Sequence, residues 1–282
     1  MPFYKPQNIE SIYPLKLKDI LGMSFSFIRS NFDLYARSMG VVVVPLVTVI
    51  VLSTKNLILS QHGFSLTSLK ADIAYVNLLV QRGGFLGNLA GFVNLFLIPL
   101  AAGIASRIAG VSFLGAIPNS ASATRIGMRF VFALMWAALI IHLAELVGLV
   151  IFVLPGIFVA VVTAVVTPVI VLETKGPFSA IRRSWDLVRP KMFKIFGFVV
   201  GITITSLIAN FVFIELSSIF SSVLSSSFSW IIVVIMQSIQ TIVVTSFVAT
   251  ATTLIYLDAR IYLEDFHLDL EDKVDVGDFF LG

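Results

Sequence analysis

Residues 130–173 read FVFALMWAALIIHLAELVGLVIFVLPGIFVAVVTAVVTPVIVLE, an apolar stretch of 44 residues. One bilayer crossing needs about 17–25 apolar residues, so this stretch is too long for a single span. Leu154-Pro155-Gly156 interrupts it, and proline followed by glycine is a strong turn signal. The stretch therefore predicts two transmembrane helices, 130–153 and 157–173, joined by a tight hairpin.

The whole chain has the same apolar character. Its 282 residues are 58% hydrophobic and only 12% charged, whereas soluble domains are about 25% charged. Apolar runs of membrane-spanning length predict six spans: 39–58, 85–107, 130–153, 157–173, 192–214 and 229–257. We therefore expect an all-α polytopic membrane protein with three helical hairpins in a membrane domain, 39–260.

The composition also excludes several classes of protein. A net charge of +3 is too small for a nucleic-acid binder, and the scarcity of charge excludes a soluble enzyme. The chain has no cysteine, which excludes a disulfide framework and a cysteine-ligated metal.

The distribution of Lys and Arg predicts the orientation in the cell membrane. Sixteen of the 19 fall before the first span, in the loops after the second and fourth spans, or after the sixth span. Basic residues are retained on the cytoplasmic side, so both termini are expected there. Residues 1–38 are too polar at their start for a signal peptide. Residues 261–282 form an acidic tail with seven acidic residues and one lysine.

Residues 176–190 precede the fifth span and carry apolar residues at helical steps of three and four. These are Phe178, Ile181, Trp185 and Val188. The charged residues predicted on the opposite face are Arg182, Arg183, Asp186 and Arg189. This pattern predicts an amphipathic helix that lies in the headgroup plane. We call such a helix, placed just before a span, an elbow helix.

The elbow pattern recurs along the chain. Residues 25–39, before the first span, match 178–192 without a gap at seven of fifteen positions. A weaker version, 121–129, precedes the third span. The match indicates an internal repeat. If 121–129 is a third copy, the chain has three hairpins inserted in the same sense, unlike the inverted repeats of many transporters. The alternative is that unrelated elbows converge on aromatic, aliphatic and basic residues at helical spacing.

Several motifs resemble one known family. They are Pro155-Gly156, the run Pro168 to Glu173, Gly176, the run Ala180 to Val188, and the run Thr253 to Arg260 with Glu264 and Phe266. Together they are similar to the membrane-domain family of glycerophosphoryl diester phosphodiesterases. The likeness is good over 155–195 and 245–272, loose in the first elbow and slight over 55–150.

The resemblance implies a polytopic membrane module, which some relatives fuse to a soluble phosphodiesterase barrel and others carry alone. A barrel needs roughly 200 residues, and neither the segment before the first span nor the segment after Arg260 is that long. We therefore expect no phosphodiesterase activity in this chain. The closing motif also departs from the family, with Asp265 in place of a glycine and His267-Leu268 lengthening the spacing.

His142 and Glu145 are the clearest ionisable residues inside a predicted span, where such groups are costly. Their i, i+3 spacing puts them on one helix face, where they could form a proton relay, an ion site or a hydrogen-bonded pair. No third ligand is near in sequence, so no metal site is expected, and a structural pair is favoured over transport. The side-chain amides of Asn94, Asn210, Gln237 and Gln240 are expected to form hydrogen bonds between helices rather than to bind a substrate.

A second group of charges lies at the predicted cytoplasmic ends of the spans. Glu173 ends the fourth span and is expected to pair with Arg182 or Arg183. Asp186 is expected to pair with an arginine one turn away. Asp258 and Arg260 close the sixth span and are expected to join this network. The alternative is that the arginines bind anionic lipid headgroups.

These observations favour a non-catalytic integral membrane protein that acts as a scaffold, as an accessory subunit or in membrane and lipid homeostasis. The alternative is a small transporter or permease that uses the His142 and Glu145 face. An enzyme acting on lipid is least favoured, because no acid and base pair stands at the interface, and no cofactor is expected. The expected partners are the bilayer, its anionic headgroups, or a protein bound through the elbows or the acidic tail.

Overall fold

The computed structural model describes residues 15–58, 84–114, 116–223 and 229–264, and within them the secondary structure is entirely helical. The helices are α1 (Leu17–Ile58), α2 (Gly84–Phe113), α3 (Ser120–Arg129), α4 (Val131–Ile151), α5 (Val153–Val162), α6 (Val166–Leu172), α7 (Pro177–Val188), α8 (Met192–Val223) and α9 (Ser229–Glu264). A 3-10 turn, Arg189–Lys191, joins α7 to α8. The acidic tail beyond Glu264 lies outside the described residues.

Five stretches of the described chain are long and apolar enough to cross a bilayer. They are Leu17–Leu52, Val131–Gly148, Leu154–Leu172, Pro177–Phe220 and Trp230–Glu264. A shorter apolar segment, Leu97–Phe113, lies in α2. The chain is therefore an all-helical protein with several helices of membrane-spanning length, as its composition predicts.

The first elbow and the first span share one continuous helix. The predicted boundary at residue 39 falls inside α1, which is 42 residues long and kinks at Asn31, where φ is −119° and ψ is 20°. The Asn31 side-chain amide donates to the Phe27 carbonyl at 3.0 Å, a local bond that competes with the helical backbone. The change of direction therefore comes from an asparagine inside the elbow, a signal that the hydrophobic pattern does not carry.

The other two elbows are separate helices. α3 begins after Asn119, whose side chain accepts a hydrogen bond from the Ala121 amide at 2.9 Å and so caps the helix. α7 begins at Pro177, a residue suited to the first turn because its missing N–H has no partner to lose there. Pro190 lies in the 3-10 turn that follows α7, before α8 begins at Met192.

The turn inside the opening 44-residue stretch lies two residues earlier than predicted. The helix breaks at Phe152, with φ −168° and ψ 145°, and Pro155 sits in the first turn of α5. A Cβ on Gly148 would lie 2.7 Å from the Gly156 backbone nitrogen, so the two helices approach closely here. The predicted fourth span, 157–173, is divided, because a turn separates α5 from α6 at residues 163–165.

Three groups of consecutive helices pack together, α1 with α2, α4 with α5, and α8 with α9, whereas α6 packs mainly against α2 and the elbow helix α7. Each group contacts the other two, and α1 packs directly against α9. Tyr35 and Thr250 share a hydrogen bond of 2.8 Å across that contact, and Ser246 donates to the Met39 sulfur at 3.3 Å. The first and last helices are therefore neighbours.

Candidate functional site

Glu173, just after α6, is the centre of a charged group that joins three elements. Its carboxylate oxygens both accept from the Arg183 Nε at 3.2 Å, and one accepts from the Tyr256 hydroxyl at 3.0 Å. The Lys175 Nζ lies 2.7 Å from the other oxygen. The Glu173 side chain is only 12% exposed. One carboxylate thus ties the end of α6 to the elbow helix α7 and to α9.

A second carboxylate, Glu264 at the end of α9, extends this group. It accepts from the Arg260 Nε at 2.9 Å and forms an ion pair with Arg183. The Arg260 guanidinium also donates to the Tyr256 hydroxyl at 3.0 Å. We call these residues the Glu173 cluster: Glu173, Lys175, Arg183, Tyr256, Arg260 and Glu264. Cations and carboxylates alternate in it, so each buried charge has an opposite charge beside it.

The backbone between Glu173 and Lys175 is strained. Thr174 has φ 53°, in the left-handed region that β-branched residues avoid. Such a conformation costs about 1–3 kcal/mol and persists where surrounding contacts hold it. The contacts of Glu173 with α7 and α9 supply that constraint.

The surroundings of Glu173 determine its charge. Burial alone would raise the pKa of its carboxyl. The hydrogen bond from Lys175 and the charge of Arg183 outweigh burial, and the Tyr256 hydroxyl acts in the same direction. The pKa of Glu173 is therefore lowered from its ordinary value, and the carboxylate is charged at neutral pH.

Asp258 forms a separate group on another side of α9. It is buried, with 5% of its surface exposed. One carboxylate oxygen accepts from the Leu15 backbone amide at 3.0 Å, and the other accepts from the Lys194 Nζ at 2.9 Å. Asp258 therefore ties the chain entering α1 and the start of α8 to the end of α9.

The elbow helix α7 packs against the protein mainly through residues outside the apolar face predicted to meet the membrane. Its buried residues are Ala180, Ser184, Leu187 and Val188, and the Ser184 hydroxyl donates to the Val162 carbonyl at 2.6 Å. Phe178, on the predicted apolar face, is 75% exposed, whereas Val188 on the same face is buried. Sequence periodicity detects an apolar face but does not distinguish contact with lipid from contact with protein.

The two arginines of α7 have different surroundings, although they were predicted to share a polar face. Arg183 is 22% exposed and reaches inward to Glu173. Arg182 and Asp186 are exposed, and neither forms an ion pair with a described residue. Trp185 is half-buried, with its ring centre 5.8 Å from that of Phe158. The expected pairing of Asp186 with Arg182 or Arg189 is therefore not seen.

Four residues of these two groups were missed by sequence reasoning: Lys175, Lys194, Tyr256 and Glu264. Tyr256 and Glu264 lie four residues before and after Arg260, the helical spacing that places side chains side by side. That spacing was available in the sequence. The contact between Lys194 and Asp258 joins residues 64 positions apart and had no local signal.

His142 and Glu145 face each other on α4, as their spacing predicts. The His142 Nδ1 lies 3.1 Å from a Glu145 carboxylate oxygen, and the side chains are 65% and 26% exposed. Both line a cavity of about 280 Å³ between α2, α4, α6, α8 and α9. The pair is therefore open to a space inside the helical domain.

A second cavity of about 520 Å³ adjoins the first and shares lining residues with it, including Thr167 and Thr252. Within it the Gln240 amide donates to the Asn210 side-chain oxygen at 2.7 Å, joining α9 to α8. The predicted hydrogen bond between side-chain amides of different helices is therefore present for Asn210 and Gln240.

Comparisons of the chain with known protein families, with characterised proteins and with solved structures find no match. The resemblance to the phosphodiesterase membrane-domain family therefore rests on the motifs of this chain alone. In the described part of the chain, no group of three or more His, Asp or Glu residues could hold a metal ion. The fold and these sites define an all-helical protein of membrane-spanning helices with two ionic groups around the end of α9.

Proposed function

We propose that this chain is a non-catalytic, six-span membrane protein of three hairpins that acts as a scaffold or accessory subunit, or in membrane and lipid homeostasis. The observation that supports this proposal is the Glu173 cluster, which fixes an elbow helix against the ends of α6 and α9. Ion pairs between distant parts of the chain hold the elbow helix in place, which favours a rigid module. The outer face of that helix is then available to bind lipid or a partner protein.

The proposed topology adds α2, which contains the predicted second span, to the five long apolar stretches and so has six spans. It places both termini in the cytoplasm. α2 has 30 residues, or about 45 Å of helix, which exceeds the hydrocarbon thickness. The basic residues Lys175, Arg183 and Lys194 all lie around the same end of α9. By the positive-inside tendency that end faces the cytoplasm of the cell, and the module is of the phosphodiesterase membrane-domain type.

The outer face of α7 is the proposed binding surface. Phe178 is 75% exposed one turn before the exposed Arg182, and the exposed Arg189 lies at the other end of the helix, over the Trp185 ring. An aromatic side chain that enters the acyl boundary, next to basic groups at the headgroups, is the arrangement by which interfacial helices bind anionic lipid. A partner protein carried by the membrane would meet the same face.

Purification in mild detergent, with identification of what remains bound, tests this function. We expect the native protein to retain anionic lipid or a stoichiometric partner, and the double variant Phe178→Ser/Arg182→Glu to lose it while its thermal stability is unchanged. Asp186→Asn, on the same helix, is the matched control and should retain it. A monomer that carries a bound solute and neither lipid nor partner would reject the proposal.

A second candidate function, a small transporter or permease, is favoured by the cavity of about 280 Å³ that His142 and Glu145 line. Proteoliposomes containing a trapped pH-sensitive dye test it after an imposed pH step. On this candidate the native protein speeds proton entry and Glu145→Gln abolishes the effect without loss of folding. Equal rates for native protein and variant would contradict a role of the pair in transport.

A further inference from the structure

The larger cavity, of about 520 Å³, lies between α8 and α9 and is bordered by α2 and α6. Most of the lining surface is apolar, and uncharged polar side chains are set into it. Six of the residues that line it are Asn210, Gln237, Gln240, Thr241, Thr245 and Thr252. We call this space the amide cavity.

The hydrogen bonds around the amide cavity leave several polar groups without protein partners. Asn210 and Gln240 bind each other, and the Asn210 amide also donates to the Ser206 carbonyl at 2.9 Å. The side chains of Gln237, Thr241 and Thr245 make no hydrogen bond to any residue that the structure describes. Polar groups inside a bilayer need partners, because lipid offers none. Water or a polar solute in the cavity would supply such partners.

The amide cavity follows much of the bilayer depth. From Gln237 to Thr252 its lining covers about 22 Å of α9, most of a hydrocarbon thickness of about 30 Å. At the Thr252 end it adjoins the cavity of His142 and Glu145. The two cavities are therefore neighbours, with the ionisable pair beside the smaller one and neutral polar groups along the larger one.

We propose that the amide cavity is a water-filled site for a small uncharged solute rich in hydroxyl groups, such as a polyol or a sugar. Side-chain amides and hydroxyls both donate and accept hydrogen bonds, which matches a polyol, whereas no ionisable residue is among the described residues that line this cavity. Its volume holds one solute of monosaccharide size together with ordered water, each water occupying about 30 Å³. This inference deepens the second candidate function, since it names the class of solute that such a transporter would bind.

The natural absence of cysteine permits a direct test in the full chain. Single variants Thr245→Cys and Thr241→Cys place a thiol in the cavity with little change of volume. Ile204→Cys places one on α8 at a lipid-facing position that is 52% exposed. A charged methanethiosulfonate reagent reacts with the hydrated thiolate, so we expect the cavity variants in proteoliposomes to react at least about tenfold faster than Ile204→Cys.

Sorbitol is the probe for the solute class. We expect sorbitol to slow modification of Thr245→Cys, and a large polyethylene glycol at equal osmolality to leave the rate unchanged. Adding Gln237→Leu to Thr245→Cys should weaken the protection by sorbitol. Thermal unfolding of each variant in detergent verifies that it is folded.

Two outcomes overturn the proposal. Equal, slow modification of cavity and lipid-facing variants means that the cavity is dry. Fast modification without protection by sorbitol means that the cavity holds water but not this class of solute. The proton-flux experiment on Glu145→Gln is independent of both results. A protected cavity without proton flux would retain the solute site and reject the role of the His142 and Glu145 pair.

Discussion

Two ionisable groups of this protein, the His142–Glu145 pair and the Glu173 cluster, differ in how the chain builds them. His142 and Glu145 are three residues apart on one helix, and the imidazole is 65% exposed. The Glu173 carboxylate is 12% exposed and binds Tyr256, 83 positions further along the chain. The pair is local and open, whereas the cluster is assembled by the tertiary fold and is largely closed.

The difference implies that the two groups contribute unequally to stability. A buried charge that loses its partner is left uncompensated in a medium of low polarity, which is strongly destabilising. Polar contacts inside a membrane contribute about 0.6 kcal/mol on average, so a local pair is expected to contribute much less. The His142–Glu145 pair is therefore expected to contribute less to the free energy of unfolding than the Glu173 cluster. The following variants test this ranking.

The largest expected effect is that of Glu173→Gln. The variant removes the charge that lies between Arg183, Lys175 and Arg260, and we expect it to lower the free energy of unfolding by about 3–5 kcal/mol. Thermal unfolding in detergent measures the loss. Asp186→Asn, on the exposed side of α7, is the control and should be near neutral. Equal losses for the two variants would contradict a structural role of the cluster.

Acidification should remove the same contribution gradually. The pKa of Glu173 is lowered in the folded state, so its stabilisation is complete above the unfolded pKa of about 4.3 and is lost as pH falls through the lower folded value. Unfolding measured from pH 7 down to pH 3 should show the native protein converging on Glu173→Gln. A gap between them that widens in acid would be inconsistent with a lowered pKa.

An intermediate effect is expected at Asp258. Asp258→Asn keeps an acceptor for the Leu15 amide but loses the charged bond to Lys194, and we expect a loss of about 2 kcal/mol. A double-mutant cycle with Lys194→Met isolates the ion pair. Additive effects of the two substitutions would show that the contact contributes nothing to stability.

The smallest effect is expected for the His142–Glu145 pair. A cycle with His142→Leu and Glu145→Gln should give a coupling of about 0.6 kcal/mol, the size found for polar contacts between residues in membranes. The measurement is the same thermal unfolding in detergent. A coupling as large as the loss in Glu173→Gln would remove the distinction between the open pair and the closed cluster.

Much of the helical architecture was predictable because apolar length and charge are local properties of the chain. Helices occupy all or most of each predicted span, although the fourth contains a turn at 163–165. The i, i+3 contact of His142 with Glu145 follows from one helix alone. The Asn31 kink was not predictable from hydropathy, because it depends on a side-chain bond to the backbone.

The tertiary contacts were predictable only where a helix supplied the spacing. Arg260 stands four residues from both Tyr256 and Glu264, so that part of the cluster was encoded locally. Which arginine of α7 turns inward depends on how Ala180, Ser184 and Leu187 pack, and periodicity does not determine this. The ion pair between Lys194 and Asp258 joins residues 64 positions apart, so it could be seen only in the folded structure.

The packing of α1 against α9 gives the three helix groups a circular order. In a linear array of repeats the terminal units need special caps to protect their outer faces. Here the Tyr35 hydroxyl contacts Thr250 and the Leu15 amide contacts Asp258, so α1 and α9 cover each other within the described residues. Removing α1 or α9 would therefore expose the packed face of the other helix, instead of only shortening the domain by one unit.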